Sequence, residues 1–152
     1  NDLICYVLKN YDGMISLTGH SAGGHLVSRM VSTEQWNGSK LRSDFLKRLN
    51  HVVAISPIAD LRPLLKTSMN NKFNLDYDTA EKESPVIHIK MNVPFTVFVG
   101  ENERPAFLSQ ANYLSQAWSC SKLIAKGKHH FNILDDLENE RSRLVNLLTK
   151  IH

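Results

Sequence analysis

Met14-Ile15-Ser16-Leu17-Thr18-Gly19-His20-Ser21-Ala22-Gly23-Gly24-His25-Leu26-Val27 joins a short apolar run to a helical pattern through a serine set among glycines. Met14 to Thr18 predicts a buried strand stopped by Gly19, and Ala22 to Val31 predicts the helix that follows. Between them Gly19-His20-Ser21-Ala22-Gly23 matches G-x-S-x-G, and the strand and helix on either side make a loose pattern specific. The backbone must bend sharply there, and a Cβ on Gly19 or Gly23 is expected to collide with neighbouring strands. Such a bend thrusts the Ser21 hydroxyl out at the head of a helix. The Ala22 backbone N–H and the positive end of the helix dipole then lie beside any oxyanion that forms.

The same alternation runs along the chain in both directions. Upstream, Asp2 to Leu8 predicts a helix with Leu3, Ile4, Val7 and Leu8 on one face, running into Tyr11-Asp12-Gly13. Downstream come a helix at about Leu41 to Leu49 and a strand from Val52 to Ser56, broken at Pro57. A polar stretch from Ile58 to Met91 holds a turn around Asn70-Asn71 and a short helix near Thr79 to Lys82. Val93 to Val99 reads as a strand ended by Gly100, and Pro105 opens a helix to about Trp118. Lys122 to Ala125 gives the last strand and Asp135 to Thr149 a closing amphipathic helix. Short apolar strands alternating with helices predict an α/β fold: a mostly parallel sheet with helices on both faces, in one unit over residues 1–152.

With 152 residues, 42% hydrophobic and 22% charged, the chain can bury a core, which argues against disorder. No apolar run approaches the ~20 residues needed to cross a bilayer. The first residues, Asn1-Asp2-Leu3-Ile4-Cys5, lack the layout of a signal peptide, so no membrane partner and a cytoplasmic location are expected. Cys5 and Cys120 have no C-x-x-C spacing, which suggests neither a disulfide framework nor a zinc site; both read as buried thiols. The net charge of +3 is spread along the chain without interleaved aromatic residues, so nucleic acid is not an implied partner.

A serine hydroxyl is a weak nucleophile at neutral pH and needs a base, which in turn needs a carboxylate to hold its tautomer. In folds built on this serine turn the chain order is serine, acid, histidine. Seven histidines compete for the base. His20 and His25 flank Ser21 and cannot easily fold back onto it, His51 and His88 precede apolar runs, and His152 is terminal. His129 and His130 follow the last strand and the turn Gly127-Lys128. His130 is preferred because Phe131 can anchor the loop in the core, leaving His129, like His20, to face substrate. For the acid, Glu103 lies three residues beyond the strand-ending Gly100; Glu101 is the close rival, and Asp60, after the preceding strand, is the second alternative.

Taken together, Gly19 to Leu26, Ser56-Pro57-Ile58-Ala59-Asp60-Leu61-Arg62-Pro63-Leu64, Met69-Asn70, Glu83-Ser84-Pro85 and Gly127-Lys128-His129-His130-Phe131 resemble the kynurenine formamidase (arylformamidase) branch of the α/β-hydrolases. The likeness runs from about residue 14 to 148. The serine turn is shared with many esterases and lipases; the Asp-Leu-Arg-Pro-Leu, Glu-Ser-Pro and His-His-Phe segments are more specific. The resemblance implies a triad of Ser21, Glu103 and His130 and hydrolysis of N-formylkynurenine to kynurenine and formate, a step of tryptophan catabolism. It implies no metal and no organic cofactor. A carboxylesterase of broad acyl specificity, or a non-catalytic protein that binds through the same cleft, are the other readings of these residues.

The family carries a His-Gly-Gly loop ahead of the nucleophile segment that supplies further oxyanion-hole N–H groups, whereas the Gly-Gly pair here, Gly23-Gly24, belongs to the serine turn. A full domain of this kind needs roughly 250 residues, so the chain is expected to be its C-terminal part. The N-terminal strands would then be a partner of Met14 to Thr18, whose open edge also invites a second copy and a homodimer. Residues 1–152 alone are expected to be inactive or insoluble.

Overall fold

The computed structural model describes residues 2–32 and 40–150. Four strands form one parallel sheet in the sequential order β1 (Ile15–His20), β2 (Leu49–Ile55), β3 (Phe95–Gly100) and β4 (Ser121–Ala125). Seven α-helices accompany them among the described residues: α1 (Asp2–Asn10), α2 (Ala22–Met30), α3 (Lys40–Arg48), α4 (Asn70–Phe73), α5 (Tyr77–Lys82), α6 (Pro105–Ala117) and α7 (Arg143–Thr149).

Residues of β2 alternate between two cores, as the pleat requires. Val52 and Ala54 join Val97 and Val99 of β3, Val27 of α2, Phe45 of α3 and Leu114 of α6 on one face. Val53 and Ile55 join Phe98, Ile133 and Leu144 on the other. Every residue of β2 and β3 is buried, polar Asn50, His51 and Thr96 included, and their apolar stretches, 52–55 and 97–99, are what the sequence shows as strands. Among the described residues β1 pairs with β2 alone.

Several expectations are corrected. β1 continues through the glycine expected to stop it, including Gly19 and ending at His20, whereas β3 ends at Gly100 as expected. Asn70-Asn71 opens the single turn of α4 rather than a reverse turn, and Asn74, with φ 52°, closes that helix. The closing helix is two pieces, a 3-10 segment over Asn132–Glu138 and α7. They are separated where Asn139 accepts the Arg141 and Ser142 amides, after which the Ser142 side chain caps α7 by accepting the Val145 N–H. In α1, Ile4 is buried while Leu3 is 74% exposed, and Cys5, one residue further round the helix, is exposed rather than buried. Cys120 is half-buried, and desolvation pushes its thiol up to about 11. His152 lies outside the described residues. No helix among them is long and apolar enough to cross a membrane.

Candidate active site

Ser21 stands between β1 and α2 with φ 56° and ψ −114°, a backbone state that an L-residue adopts only under constraint. Its N–H donates to the Ile55 carbonyl at 2.9 Å, and its own carbonyl accepts from His25 at 3.0 Å. The turn is thereby pinned to the end of β2. Gly19 is required for a reason other than the expected one: a Cβ there would lie 2.1 Å from the Gly23 carbonyl oxygen, so the clash is with the start of α2 and not with a strand. Gly23 itself faces open space. The second crowded position is Gly24, where a Cβ would sit 2.9 Å from Pro57 Cα. Ala22 is the first residue of α2, and an N–H in a first turn has no carbonyl four residues back to bond.

Beyond β3, Asn102 N–H donates to Lys128 O at 2.8 Å, and Glu101 Oε2 accepts the Gly127 N–H at 2.9 Å. These bonds lace the loop after β3 to the loop after β4, in a space so close that a Cβ on Gly100 would meet Lys128 O at 2.4 Å. Across this junction His130 Nδ1 lies 3.0 Å from Glu103 Oε2. Facing a carboxylate, Nδ1 carries the proton and Nε2 is left as the acceptor, the tautomer a base requires. The Glu103 side chain is fully buried, and its Oε1 accepts the hydroxyl of Ser56. The structure thus brings Glu103 to His130 and takes the two rivals elsewhere: Glu101 serves the Gly127 amide, and Asp60 accepts Arg62 Nε and Nη2, both at 2.9 Å. Those Arg62 bonds hold the Asp60 carboxyl below its ordinary range.

Phe131 is 75% exposed and does not anchor its loop in the core, contrary to expectation. The anchors are Ile133, fully buried, and Phe107 of α6, whose ring stacks on that of His130 with centroids 4.0 Å apart. His20 closes the circuit back to the serine: it immediately precedes Ser21, and its ring centroid is 4.5 Å from that of His130. Burial, and then the neighbouring His130, lower its pKa, and its Nε2 is buried without a hydrogen-bond partner. His129 is exposed, and its Nδ1 accepts the Phe131 N–H at 3.2 Å within its own loop.

Of the segments that carried the family likeness, residues 60–64 and 83–85 serve as scaffolding. Glu83 accepts Arg29 Nε at 3.1 Å, and its carbonyl lies 2.8 Å from His25 Nε2, tying residues 58–91 to α2. The Ser84 hydroxyl donates to Ala80 O at 2.6 Å and accepts the Leu61 N–H at 2.8 Å. Held in this way, Ile58, Leu61, Leu64, Phe73 and Leu75 line, with Ala22 and His25, an open apolar cleft of about 260 Å³ beside the serine turn. Among the described residues no group of three or more His, Cys, Asp or Glu could hold a metal ion. Two contributors escaped the sequence reading. Phe107 had no signal beyond its place in the first turn of α6, and for Ser56 the only hint was its position between a strand and Pro57.

A parallel sheet of four strands flanked by helices has counterparts among known proteins. A structure from Silicibacter sp., of a protein assigned as a thioesterase, superposes with a TM-score of 0.89 at 46% identity, over 97% of this chain and 55% of that one. The fold is that of the α/β-hydrolases. An esterase of Thermogutta terrifontis shares it at 20% identity, with a TM-score of 0.55 over 91% of this chain and 58% of that one. In sequence the chain is 29% identical over 158 residues to the kynurenine formamidase of Danio rerio, covering 95% of this chain and 52% of that protein, in line with the resemblance read from the motifs. The chain therefore spans about half the length of the curated relatives it matches. No protein-family model matches it.

Proposed function

We propose that the full-length protein is a serine hydrolase acting on amide bonds in the manner of a kynurenine formamidase, releasing formate from N-formylkynurenine. The observation that carries this reading is the 3.0 Å contact of His130 Nδ1 with a buried Glu103, with the His130 ring against His20, the residue before a serine held at φ 56°. Ser21 Oγ attacks the formyl carbonyl carbon as His130 Nε2 takes its proton. The resulting oxyanion is received by the Ala22 N–H, a donor of the kind whose loss costs about 10²- to 10³-fold in rate. His130 returns the proton to the aryl amine as the C–N bond breaks, leaving a formyl ester on Ser21. Water activated by His130 then releases formate. The apolar cleft beside Ala22 suits the aromatic ring of the substrate, and His20 lies against the ring of His130.

A second reading, an esterase or thioesterase, is favoured by the 46% identity to the protein assigned as a thioesterase. The same triad supports it, with an acyl chain in the apolar cleft. Turnover by the full-length polypeptide of N-formylkynurenine, a p-nitrophenyl ester and an acyl thioester separates them. The formamidase reading expects the highest kcat/KM on N-formylkynurenine, and a thioester preferred over it by tenfold or more (about 1.4 kcal/mol) would replace that reading with the second.

A further inference from the structure

The Glu103 carboxylate divides its two oxygens between two partners, Oε2 for His130 Nδ1 at 3.0 Å and Oε1 for the hydroxyl of Ser56. Ser56 is fully buried, as is the Glu103 side chain. We propose that Ser56 is a positioning residue of the active site, its hydroxyl fixing the rotation of Glu103 and taking up part of its charge, so that Oε2 stays aligned with His130 Nδ1. This rests on the serine-hydrolase reading of Ser21, Glu103 and His130.

The backbone argues that the hydroxyl is what keeps a serine there. Ser56 has φ 43°, a state glycine occupies without strain and other residues avoid. It also precedes Pro57, which ordinarily drives its predecessor to extended backbone. Its N–H donates to Phe98 O at 2.8 Å, and the carbonyl of the preceding Ile55 accepts the Ser21 N–H at 2.9 Å. One peptide therefore aligns the nucleophile turn while the next residue aligns the acid. Without the hydroxyl, Oε1 would be a buried acceptor with no donor, and the whole charge would face Nδ1 and favour the imidazolium. The groups packed on His130 are the titratable ring of His20, from β1, and the ring of Phe107, from α6.

The test compares Ser56→Gly and Ser56→Ala in the full-length polypeptide. Glycine removes the hydroxyl and suits φ 43°, so a role limited to packing or backbone would leave Ser56→Gly as active as the native protein. The expected result is an equal or higher melting temperature, kcat lowered about ten- to a hundredfold, KM changed less than about twofold, and the acid limb of kcat/KM moved up by about half a pH unit. Ser56→Ala gives the same kinetic changes with a lower melting temperature. Native kcat with an unmoved acid limb in Ser56→Gly overturns the proposal. A native polypeptide that takes no fluorophosphonate adduct at Ser21 removes the serine-hydrolase reading and the role of Ser56 with it; native-rate adduct formation in Ser56→Gly removes the role alone.

Discussion

Glu103 has no exposed side-chain surface, and a carboxylate so placed is tolerable only if both oxygens are bonded. The imidazole and the Ser56 hydroxyl meet that condition. Glu103→Gln keeps the shape but turns a donor or a neutral acceptor toward Nδ1, so kcat should fall about 10³-fold or more with KM little changed. Glu101→Gln, which alters only the exposed partner of the Gly127 amide, should stay within about twofold of native kcat, and the reverse ranking in steady-state kinetics would move the acid to Glu101. The pairing of Glu103 with His130 was legible in the sequence because the ends of parallel strands converge on one edge of a sheet. Ser56 was not legible, since a hydroxyl's value depends on a φ that no spacing rule reports. Phe131 misled for a related reason: being apolar does not determine on which side of a short loop a ring falls.

At the scale of elements, the serine turn depends on how closely α2 approaches β2. Gly24 is in contact with Pro57 and Gly23 is open, so the two adjacent glycines should respond to alanine with opposite signs. Gly24→Ala is expected to destabilise by about 1–3 kcal/mol through overpacking. Gly23→Ala is expected to stabilise by about 0.5–1 kcal/mol by lowering the backbone entropy lost in a helix. Urea midpoints check both; equal effects would mean that Pro57 does not limit the approach of α2. The buried strands β2 and β3 were legible as apolar runs, as was the N-terminus of α6 at Pro105. The break between Glu138 and Arg143 was hidden, because the helical pattern continues across it and only Asn139 and Ser142 side-chain bonds interrupt the ladder.

For the molecule as a whole, stability should follow pH in two steps. Burial holds His20 and His25 below the ordinary value of 6.5, so just under that pH the unfolded chain binds more protons than the folded one. Their contribution is full above 6.5 and is lost as pH falls toward and through their folded values. Asp60, held below 3.8 by its Arg62 bonds, contributes fully above 3.8 and loses that contribution as pH falls through its own lowered value. Denaturation midpoints that do not change from pH 8 to 5 would contradict the first step. The parallel sheet and the α/β class came from alternation along the chain, whereas the cleft beside Ala22 depended on residues 58–91, whose short helical turns carry little periodicity. A strained bend at Ser21 and an imidazole oriented by a buried carboxylate should make that hydroxyl the reactive nucleophile of the full-length polypeptide. Fluorophosphonate treatment of that polypeptide, with the adduct mapped by mass spectrometry, reads this out. A single adduct on Ser21, formed at least about a hundredfold more slowly in Glu103→Gln, is the predicted result; an adduct on another residue, or none, would contradict it.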